Sequence, residues 1–180
     1  MMWVFGYGSL TWKANFPYCQ QEVGYIKGYA RRFWQASEDH RGVPGKSGRV
    51  VTLVPAEDPE ARVWGVAYRI AEEDREDVIS LLDYREKDGY QRINDVSFHP
   101  KDPSLPPWTL TIYIATSSNP FFVGYTPESE IAAIISSAVG PSGTNAEYLF
   151  NLAATMTAFG VDDNHLFTID TEVKKILGNV

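Results

Sequence analysis

The chain has 180 residues, of which 44% are hydrophobic and 22% are charged, and its formal net charge is −7. This length and composition are typical of one soluble globular domain, which we expect to span residues 1–180. The negative charge argues against a general nucleic-acid or anionic-membrane binder, and no apolar run is long enough to cross a bilayer. The first residues also lack the basic head and extended apolar stretch of a signal peptide. The single cysteine, Cys19, cannot form an internal disulfide, which favours a reducing compartment and predicts the cytoplasm.

The N-terminal two-thirds of the chain is predicted to be mainly strand. Runs rich in β-branched and aromatic residues lie at Trp3–Gly6, within Glu22–Ser37, and at Arg49–Val54, Arg62–Ile70, Tyr90–Phe98 and Trp108–Thr116. In the last run Leu110, Ile112 and Ile114 share one face. One helix is predicted at Glu72–Tyr84, where Val78, Leu81 and Leu82 lie at helical spacing behind an acidic start.

The last third of the chain is predicted to form three helices. The first begins at Thr126-Pro127, and Ile131, Ile134, Ile135 and Ala138 mark its buried stripe. The second begins with the capping box of residues 144–147 (TNAE) and ends at Gly160, and the third runs from Asp163 towards Leu177 and stops at Gly178. Strands followed by helices predict an α+β domain with a curled antiparallel sheet. The pattern alone does not separate a barrel from an open sheet.

Residues 4–10 (VFGYGSL) place a strand directly before a loop that contains two glycines, a tyrosine and a serine. The loop is neither a phosphate loop nor a dinucleotide fingerprint, and it lacks the spacing of a nucleophile elbow. Two interpretations stand. It is a tight turn, or its backbone closely approaches a small charged ligand.

Other familiar chemistry is missing from the sequence. His40, His99 and His165 lie far apart without metal-like spacing, so we predict no metal site, and Cys19 is interpreted as a structural or surface thiol. Two glycine-rich loops stay ambiguous. Asp39–Arg49 is a surface connection or a wall of a site, and Gly140–Gly143 is a turn or a helix start that presents amides to an anion.

Residues 82–90 (LDYREKDGY) place acidic side chains where the predicted helix gives way to a strand. A solvated, charged helix end is the simple interpretation. Acids at the negative end of a helix are unfavourable by ~0.3–1 kcal/mol, however. That cost makes Glu86 a functional candidate.

Five blocks of the sequence form one further pattern: WVFGYGSLTWKANFPY, GYARRFWQASEDHRGVPGKSGRVVTLV, VWGVAYRI, LLDYREKDGY and GPSGTNAEYL. Taken together, they resemble the ChaC family of glutathione-specific γ-glutamylcyclotransferases. They occur in order, and the similarity runs from Trp3 to about the third helix, which is nearly the whole chain. Within the family, the chain resembles the shorter ChaC2-like members. The resemblance implies a γ-glutamylcyclotransferase-like mixed β-barrel with surrounding helices. It also implies conversion of glutathione to 5-oxoproline and cysteinylglycine, with no cofactor.

The resemblance also implies roles for particular residues. The family's catalytic glutamate corresponds to Glu86, and its substrate segment to Val4, Phe5, Gly6, Tyr7, Gly8, Ser9 and Leu10. Tyr113 either lines the pocket, as a tyrosine does in related cyclotransferases, or is a core aromatic. Thr11 and Asp88 depart from the family pattern, the latter by adding a negative charge close to Glu86 in sequence.

These residues suit a cyclisation in which the substrate's own α-amine attacks its γ-carbonyl. The protein must fold the glutamyl chain back, supply a base, and stabilise an oxyanion. Backbone amides of residues 7–10 and the hydroxyls of Tyr7 and Ser9 would hold the glutamyl group, and Glu86 would move the proton. Two alternatives remain: a different γ-glutamyl substrate, decided by contacts from the Asp39–Arg49 loop, or a binding protein without turnover.

Overall fold

A computed structural model of the protein describes residues 2–84 and 89–178. The chain forms two compact units, Met1–Ala30 with Leu53–Pro120, and Arg31–Thr52 with Phe121–Val180. The candidate base, Glu86, lies outside the described residues. Within those residues, no helix combines the length and apolar character needed to cross a membrane.

The longer strands lie close to the ranges predicted from the sequence. In chain order they are β1 (Met2–Gly6), β2 (Gln20–Lys27), β3 (Tyr29–Ser37), β4 (Gly48–Pro55), β5 (Arg62–Ile70), β6 (Tyr90–Pro100) and β7 (Trp108–Ala115). The predicted segment Glu22–Ser37 is thus two strands, separated by Gly28 with a φ of 84°. Only glycine adopts this backbone conformation readily, which explains the break.

Five of these strands close into a barrel in the order β1-β5-β2-β6-β7, while β3 and β4 pair as a separate two-stranded sheet. The barrel pairs are antiparallel except that of β1 with β7, which is parallel around Val4 and Thr111. The mixed barrel implied by the family resemblance is therefore confirmed. The wholly antiparallel sheet expected from the strand pattern is wrong at this one pair.

Alternation along the strands fills the barrel interior. The buried cluster comprises Phe5, Ile26, Leu53, Val63, Ala67, Phe98, Leu110, Ile112 and Ile114. It includes the three β7 residues predicted to share a face. Phe98 is central, with its ring centroid 5.9 Å from that of Phe5 and 5.0 Å from that of Trp108. Since side chains alternate across a strand, Tyr113 lies on the opposite face of β7 from Ile112 and Ile114.

The helix of the first unit, α1 (Arg75–Asp83), follows a short 3-10 turn at Glu72–Asp74, and the two together match the predicted segment. Val78 and Leu82 are buried, but Leu81 is 45% exposed. Leu81 has the helical spacing of a core residue. Spacing alone does not say how wide the buried stripe of a short helix is.

The second unit holds α2 (Glu128–Ser137), the short strands β8 (Val139–Gly140) and β9 (Gly143–Thr144), α3 (Asn145–Phe159) and α4 (Asn164–Leu177). The predicted helix ends are confirmed. Thr144 and Asp163 each accept a backbone N–H as N-caps, and Gly160 and Gly178 end their helices in the left-handed conformation. Ile131, Ile135 and Ala138 are buried as expected, while Ile134 is only partly buried.

His165, on α4, is buried and neutral. Its Nε2 accepts the backbone N–H of Phe33 at 3.0 Å, so the ring proton belongs on Nδ1, which lies 3.0 Å from Glu128 Oε2. Burial, with smaller contributions from Arg32 and Arg31, lowers the pKa of His165 from 6.5 to about 4, against the opposing effect of Asp163. Glu128 would favour a charged ring, but a protonated Nε2 could not accept the Phe33 N–H.

We expect this histidine to make stability depend on pH. In the unfolded chain this histidine binds a proton near pH 6.5, but in the folded chain only near pH 4. Its contribution to the free energy of unfolding is therefore fully present above pH 6.5 and is lost as the pH drops towards 4. The loss reaches up to about 3 kcal/mol, because one pKa unit corresponds to about 1.4 kcal/mol. Urea titrations across this interval measure it. His165→Gln, which retains an acceptor, should flatten the dependence, and an unchanged slope would contradict the assignment.

Candidate functional site

The side chains of Val4 and Phe5 are committed to packing. They are 1% and 2% exposed, and Phe5 belongs to the barrel interior. Gly6 ends β1 opposite Val66 of β5. Any contact between this segment and a substrate must therefore come from the backbone or from the residues that follow.

Close packing explains the glycine at position 6. A Cβ added there would lie 2.6 Å from the Cβ of Leu10, a distance that real side chains do not show. The neighbouring glycine of β5 is equally constrained, since a Cβ on Gly65 would lie 2.2 Å from the carbonyl oxygen of Gly6. The chain can therefore fold back over the end of β1 only because both positions lack a side chain.

The loop after β1 is a hydrogen-bonded turn. Ser9–Thr11 forms a 3-10 turn in which the backbone N–H and the hydroxyl of Thr11 donate to Gly8 O at 2.9 and 2.7 Å. Trp12 and Lys13 donate to Ser9 O at 3.2 and 3.0 Å. The threonine that departs from the family pattern thus contributes a bond of its own to the turn.

Tyr68 of β5 holds the other end of this turn. Its hydroxyl donates to Leu10 O, and its ring packs against Phe16 and Tyr18. Burial, followed by the neighbouring Tyr18, raises the pKa of Tyr68 to about 12. The hydroxyl therefore stays protonated at neutral pH and remains a donor. This role cannot be predicted from the sequence, because nothing local marks a strand tyrosine as the partner of a carbonyl 58 positions away.

Two of the predicted site residues are in direct contact. Tyr7 donates its hydroxyl proton to the backbone carbonyl of Tyr113 at 2.6 Å. The Tyr113 hydroxyl in turn donates to Asp83 Oδ1 at 3.0 Å, and Arg92 Nη1 lies 3.2 Å from the same oxygen. Burial is the main cause that raises the pKa of Tyr113 to about 12, and the bond to Asp83 adds to it. At neutral pH the Tyr113 hydroxyl therefore stays protonated and acts as a hydrogen-bond donor, not as a proton donor in catalysis.

Asp83 and Arg92 are not among the site residues predicted from the sequence. One signal could have found Asp83, because it is an acid at the negative end of α1, as Glu86 was argued to be. No comparable signal marks Arg92. Its role depends on the pairing of β6 with β7, in which Arg92 lies opposite Tyr113.

The described residues on both sides of 85–88 attach to the end of β7. Asp83 is bonded to Tyr113, as above. Gly89 has a φ of 90°, a Cβ there would lie 2.8 Å from Asn119 Cα, and its carbonyl accepts the Thr116 hydroxyl at 3.5 Å. The described residues that flank 85–88, Asp83 and Gly89, are therefore both held at or just beyond the end of β7.

In the second unit, the two glycine-rich loops contact each other. Ser142 donates its N–H to His40 O at 2.9 Å, and Arg41 donates to Thr144 O at 3.1 Å and to Glu147 Oε2 at 3.0 Å. The interpretation of Gly140–Gly143 as a turn is confirmed by the pairing of Gly140 with Gly143. The Ser142 N–H is therefore used in the contact between the two loops.

Arg49 ends the Asp39–Arg49 loop as a buried residue. It is 6% exposed, and its guanidinium donates to Phe33 O and to the Thr126 hydroxyl, both at 3.1 Å. Burial lowers the pKa of Arg49, against the opposing effect of Glu130. Replacing it would disturb packing, so among the loop cations it is unsuited to report on a substrate contact.

An open groove of about 390 Å³ also lies in the second unit. It is lined mainly by small and apolar residues, with Glu147 as its charged group: Ser136, Ala138, Val139, Thr144, Ala146, Glu147, Phe150, Asn151 and Leu177. A groove of this composition does not match a zwitterionic glutamyl group. None of the predicted site residues that the structure describes lines it.

Comparison with known proteins places this chain in a family. The family model for ChaC-like protein matches residues 2–176. "Glutathione-specific gamma-glutamylcyclotransferase 1" of Danio rerio is 43% identical over 94% of this chain and 87% of its own length. "Glutathione-specific gamma-glutamylcyclotransferase" of Schizosaccharomyces pombe is 37% identical over 97% and 93%. The chain belongs to the ChaC-like family.

A solved structure supports the same assignment at the level of the fold. The crystal structure of the yeast gamma-glutamyl cyclotransferase specific to glutathione superimposes with a TM-score of 0.88 at 30% identity. It covers 97% of this chain and 96% of its own. The closed mixed barrel and the helices of the present chain are thus those of a known enzyme fold.

Proposed function

We propose that this protein is a glutathione-specific γ-glutamylcyclotransferase, a lyase that degrades glutathione to 5-oxoproline and cysteinylglycine. The observation that carries the proposal is the near-complete match of the chain to relatives named for this activity, at 37–43% identity. The match includes both the turn after β1 and the segment that follows α1. These are the two regions to which the chemistry is assigned.

The proposed reaction needs neither water nor an enzyme nucleophile. The α-amine of the glutamyl group attacks the γ-carbonyl carbon, and a new carbon–nitrogen bond closes a five-membered lactam. The tetrahedral oxyanion then collapses, and the bond to the cysteine nitrogen breaks. The attacking ammonium loses two protons in becoming the lactam N–H. A single carboxyl group can pass one of them to the departing nitrogen as its bond breaks, and the second goes to solvent or to the freed amine of cysteinylglycine.

We assign that proton transfer to Glu86 and substrate holding to the segment Val4–Leu10, beside Tyr113. The turn of residues 7–10 is the proposed source of backbone donors for the α-carboxylate or the oxyanion, and losing one oxyanion donor typically costs ~2.7–4 kcal/mol. Positioning in an intramolecular reaction contributes roughly 7–11 kcal/mol. A turn fixed by Thr11, Tyr68 and the Tyr7–Tyr113 bond is suited to that task.

We also propose how the chain is organised and in which compartment it acts. Since the family match runs from residue 2 to 176 across both compact units, we propose that the whole chain acts as one domain. We also propose that it works in the cytoplasm on a small-molecule substrate. The lone exposed Cys19 is consistent with a reducing compartment.

The deciding experiment is mass spectrometry of products after incubation with reduced glutathione. We expect 5-oxoproline and cysteinylglycine in equal amounts. Glutamate in place of 5-oxoproline would mean hydrolysis and would contradict the cyclisation. Turnover of other γ-glutamyl peptides or amines, but not of glutathione, would contradict the assignment of glutathione as the substrate. Binding without any product would favour the non-catalytic alternative.

A further inference from the structure

The last residue of α1 is an aspartate, and its position requires an explanation. Cations, not acids, are favoured beside the unpaired carbonyls at the end of a helix. Asp83 nevertheless ends α1, and its carboxylate turns to side chains of the barrel strands. It stands three positions before Glu86 in the sequence.

The contacts of Asp83 come from two strands of the barrel. Arg92 of β6 lies 3.2 and 3.3 Å from its two carboxylate oxygens, and both partners are about one-third exposed, at 36% and 33%. An exposed ion pair of this kind contributes little to stability by itself. The hydroxyl of Tyr113, in contrast, comes from a residue that is 6% exposed and fixed in the barrel wall. Tyr113 therefore sets the position of the Asp83 carboxylate, and Arg92 orients it.

Tyr113 connects Asp83 to the proposed substrate turn. Its carbonyl accepts the hydroxyl of Tyr7 at 2.6 Å, while its own hydroxyl reaches Asp83 at 3.0 Å. One residue of β7 thus contacts the turn assigned to substrate holding and the helix end that precedes the assigned base. A shift of either contact would change the distance between the two.

We propose that Asp83 is a positioning residue of the reaction, one that fixes the end of α1 against Tyr113 and Arg92 three positions before the assigned base. The inference rests on the proposed function. Asp83 touches no substrate and moves no proton. Its loss therefore lowers the rate of the bound complex and leaves the affinity for glutathione nearly unchanged.

The test separates kcat from KM in variants of this network. Asp83→Ala removes both contacts, and we expect kcat to fall about tenfold or more with KM within about twofold, since a hydrogen bond to a charged group is lost. Asp83→Asn keeps an acceptor for Tyr113 and should retain an intermediate kcat. Tyr113→Phe removes the hydroxyl alone and should lower kcat several-fold. The double variant Asp83→Ala with Tyr113→Phe should be no slower than Asp83→Ala, because the two groups act as one unit.

Matched controls remove the same groups elsewhere in the first unit. Tyr25→Phe changes a β2 tyrosine that stacks on His99, and Asp102→Asn changes an exposed turn aspartate bonded to Ser104. Both should keep the kcat of the unmodified protein. Thermal unfolding is measured for every variant. If Asp83→Ala does not fold, Asp83→Asn and Tyr113→Phe decide the question.

Folded variants with an unchanged kcat would overturn the proposal, as would a rise in KM alone. If the loss of kcat vanishes when a variant is assayed well below its unfolding temperature, the network contributes to stability only. That result would also overturn the proposal. Failure of the unmodified protein to form 5-oxoproline is a different result. It would refute the proposed function, and the two failures are therefore distinguishable.

Discussion

Replacing Glu86 by glutamine is expected to lower kcat for 5-oxoproline formation by about 10²- to 10⁴-fold, the usual contribution of general acid–base catalysis. Glutamine keeps the size of the side chain and its hydrogen bonding but cannot accept and return the proton. Binding of glutathione, measured by titration calorimetry on the variant, should remain. The readout is product formation by mass spectrometry under saturating substrate.

Glu57→Gln is the control for this substitution, because it removes an exposed carboxylate from the same unit. It should leave kcat unchanged. Near-normal turnover by Glu86→Gln would refute the assignment of the base even if the family membership stands. If the variant loses both glutathione binding and turnover, the role of Glu86 would instead be substrate binding and not proton transfer.

Gly6→Ala is expected to lower kcat/KM by up to about 10²-fold, because displacing a substrate-positioning element by 1 Å can cost that much. The added Cβ would lie 2.6 Å from the Cβ of Leu10, so the turn of residues 7–10 must move. The free energy of unfolding should fall by about 1–3 kcal/mol, as for other overpacked sites. Steady-state kinetics and urea unfolding measure the two effects.

Gly178→Ala provides the matched comparison. This residue ends α4 with a φ of 75°, and an added Cβ meets no atom within 4 Å. We expect a loss of about 1 kcal/mol from backbone strain alone, and kinetics equal to those of the unmodified protein. Equal kinetics for Gly6→Ala would mean that the turn after β1 does not hold the substrate.

Local signals predicted the parts of the fold that depend on neighbouring residues. Thr144 and Asp163 were identified as helix starts, and Gly160 and Gly178 as helix ends, because capping involves atoms within a few positions. Strand positions were predicted for a similar reason, since alternation and β-branching are local properties. Leu81 shows the limit, because its exposure depends on what surrounds α1 and not on its spacing.

In the candidate site, too, local motifs could be predicted from the sequence, whereas contacts between distant residues could not. The motifs around Tyr7 and Glu86 could be recognised in the sequence, and their roles remain predictions. The partners that fix the turn could not be found there, because Tyr68 and Tyr113 reach it across 58 and 106 positions. Asp83 and Arg92 were missed because β6 must pair with β7 before they meet.

By itself the sequence determined the order of strands and helices, the helix ends, and the family to which the chain belongs. Only the tertiary structure decided that β1 pairs in parallel with β7 to close the barrel, and that Tyr113 joins the turn after β1 to the end of α1. The physical reason is the range of the forces involved. Backbone capping and side-chain alternation act over a few residues, whereas strand closure and buried hydrogen bonds depend on residues brought together only when the chain has folded.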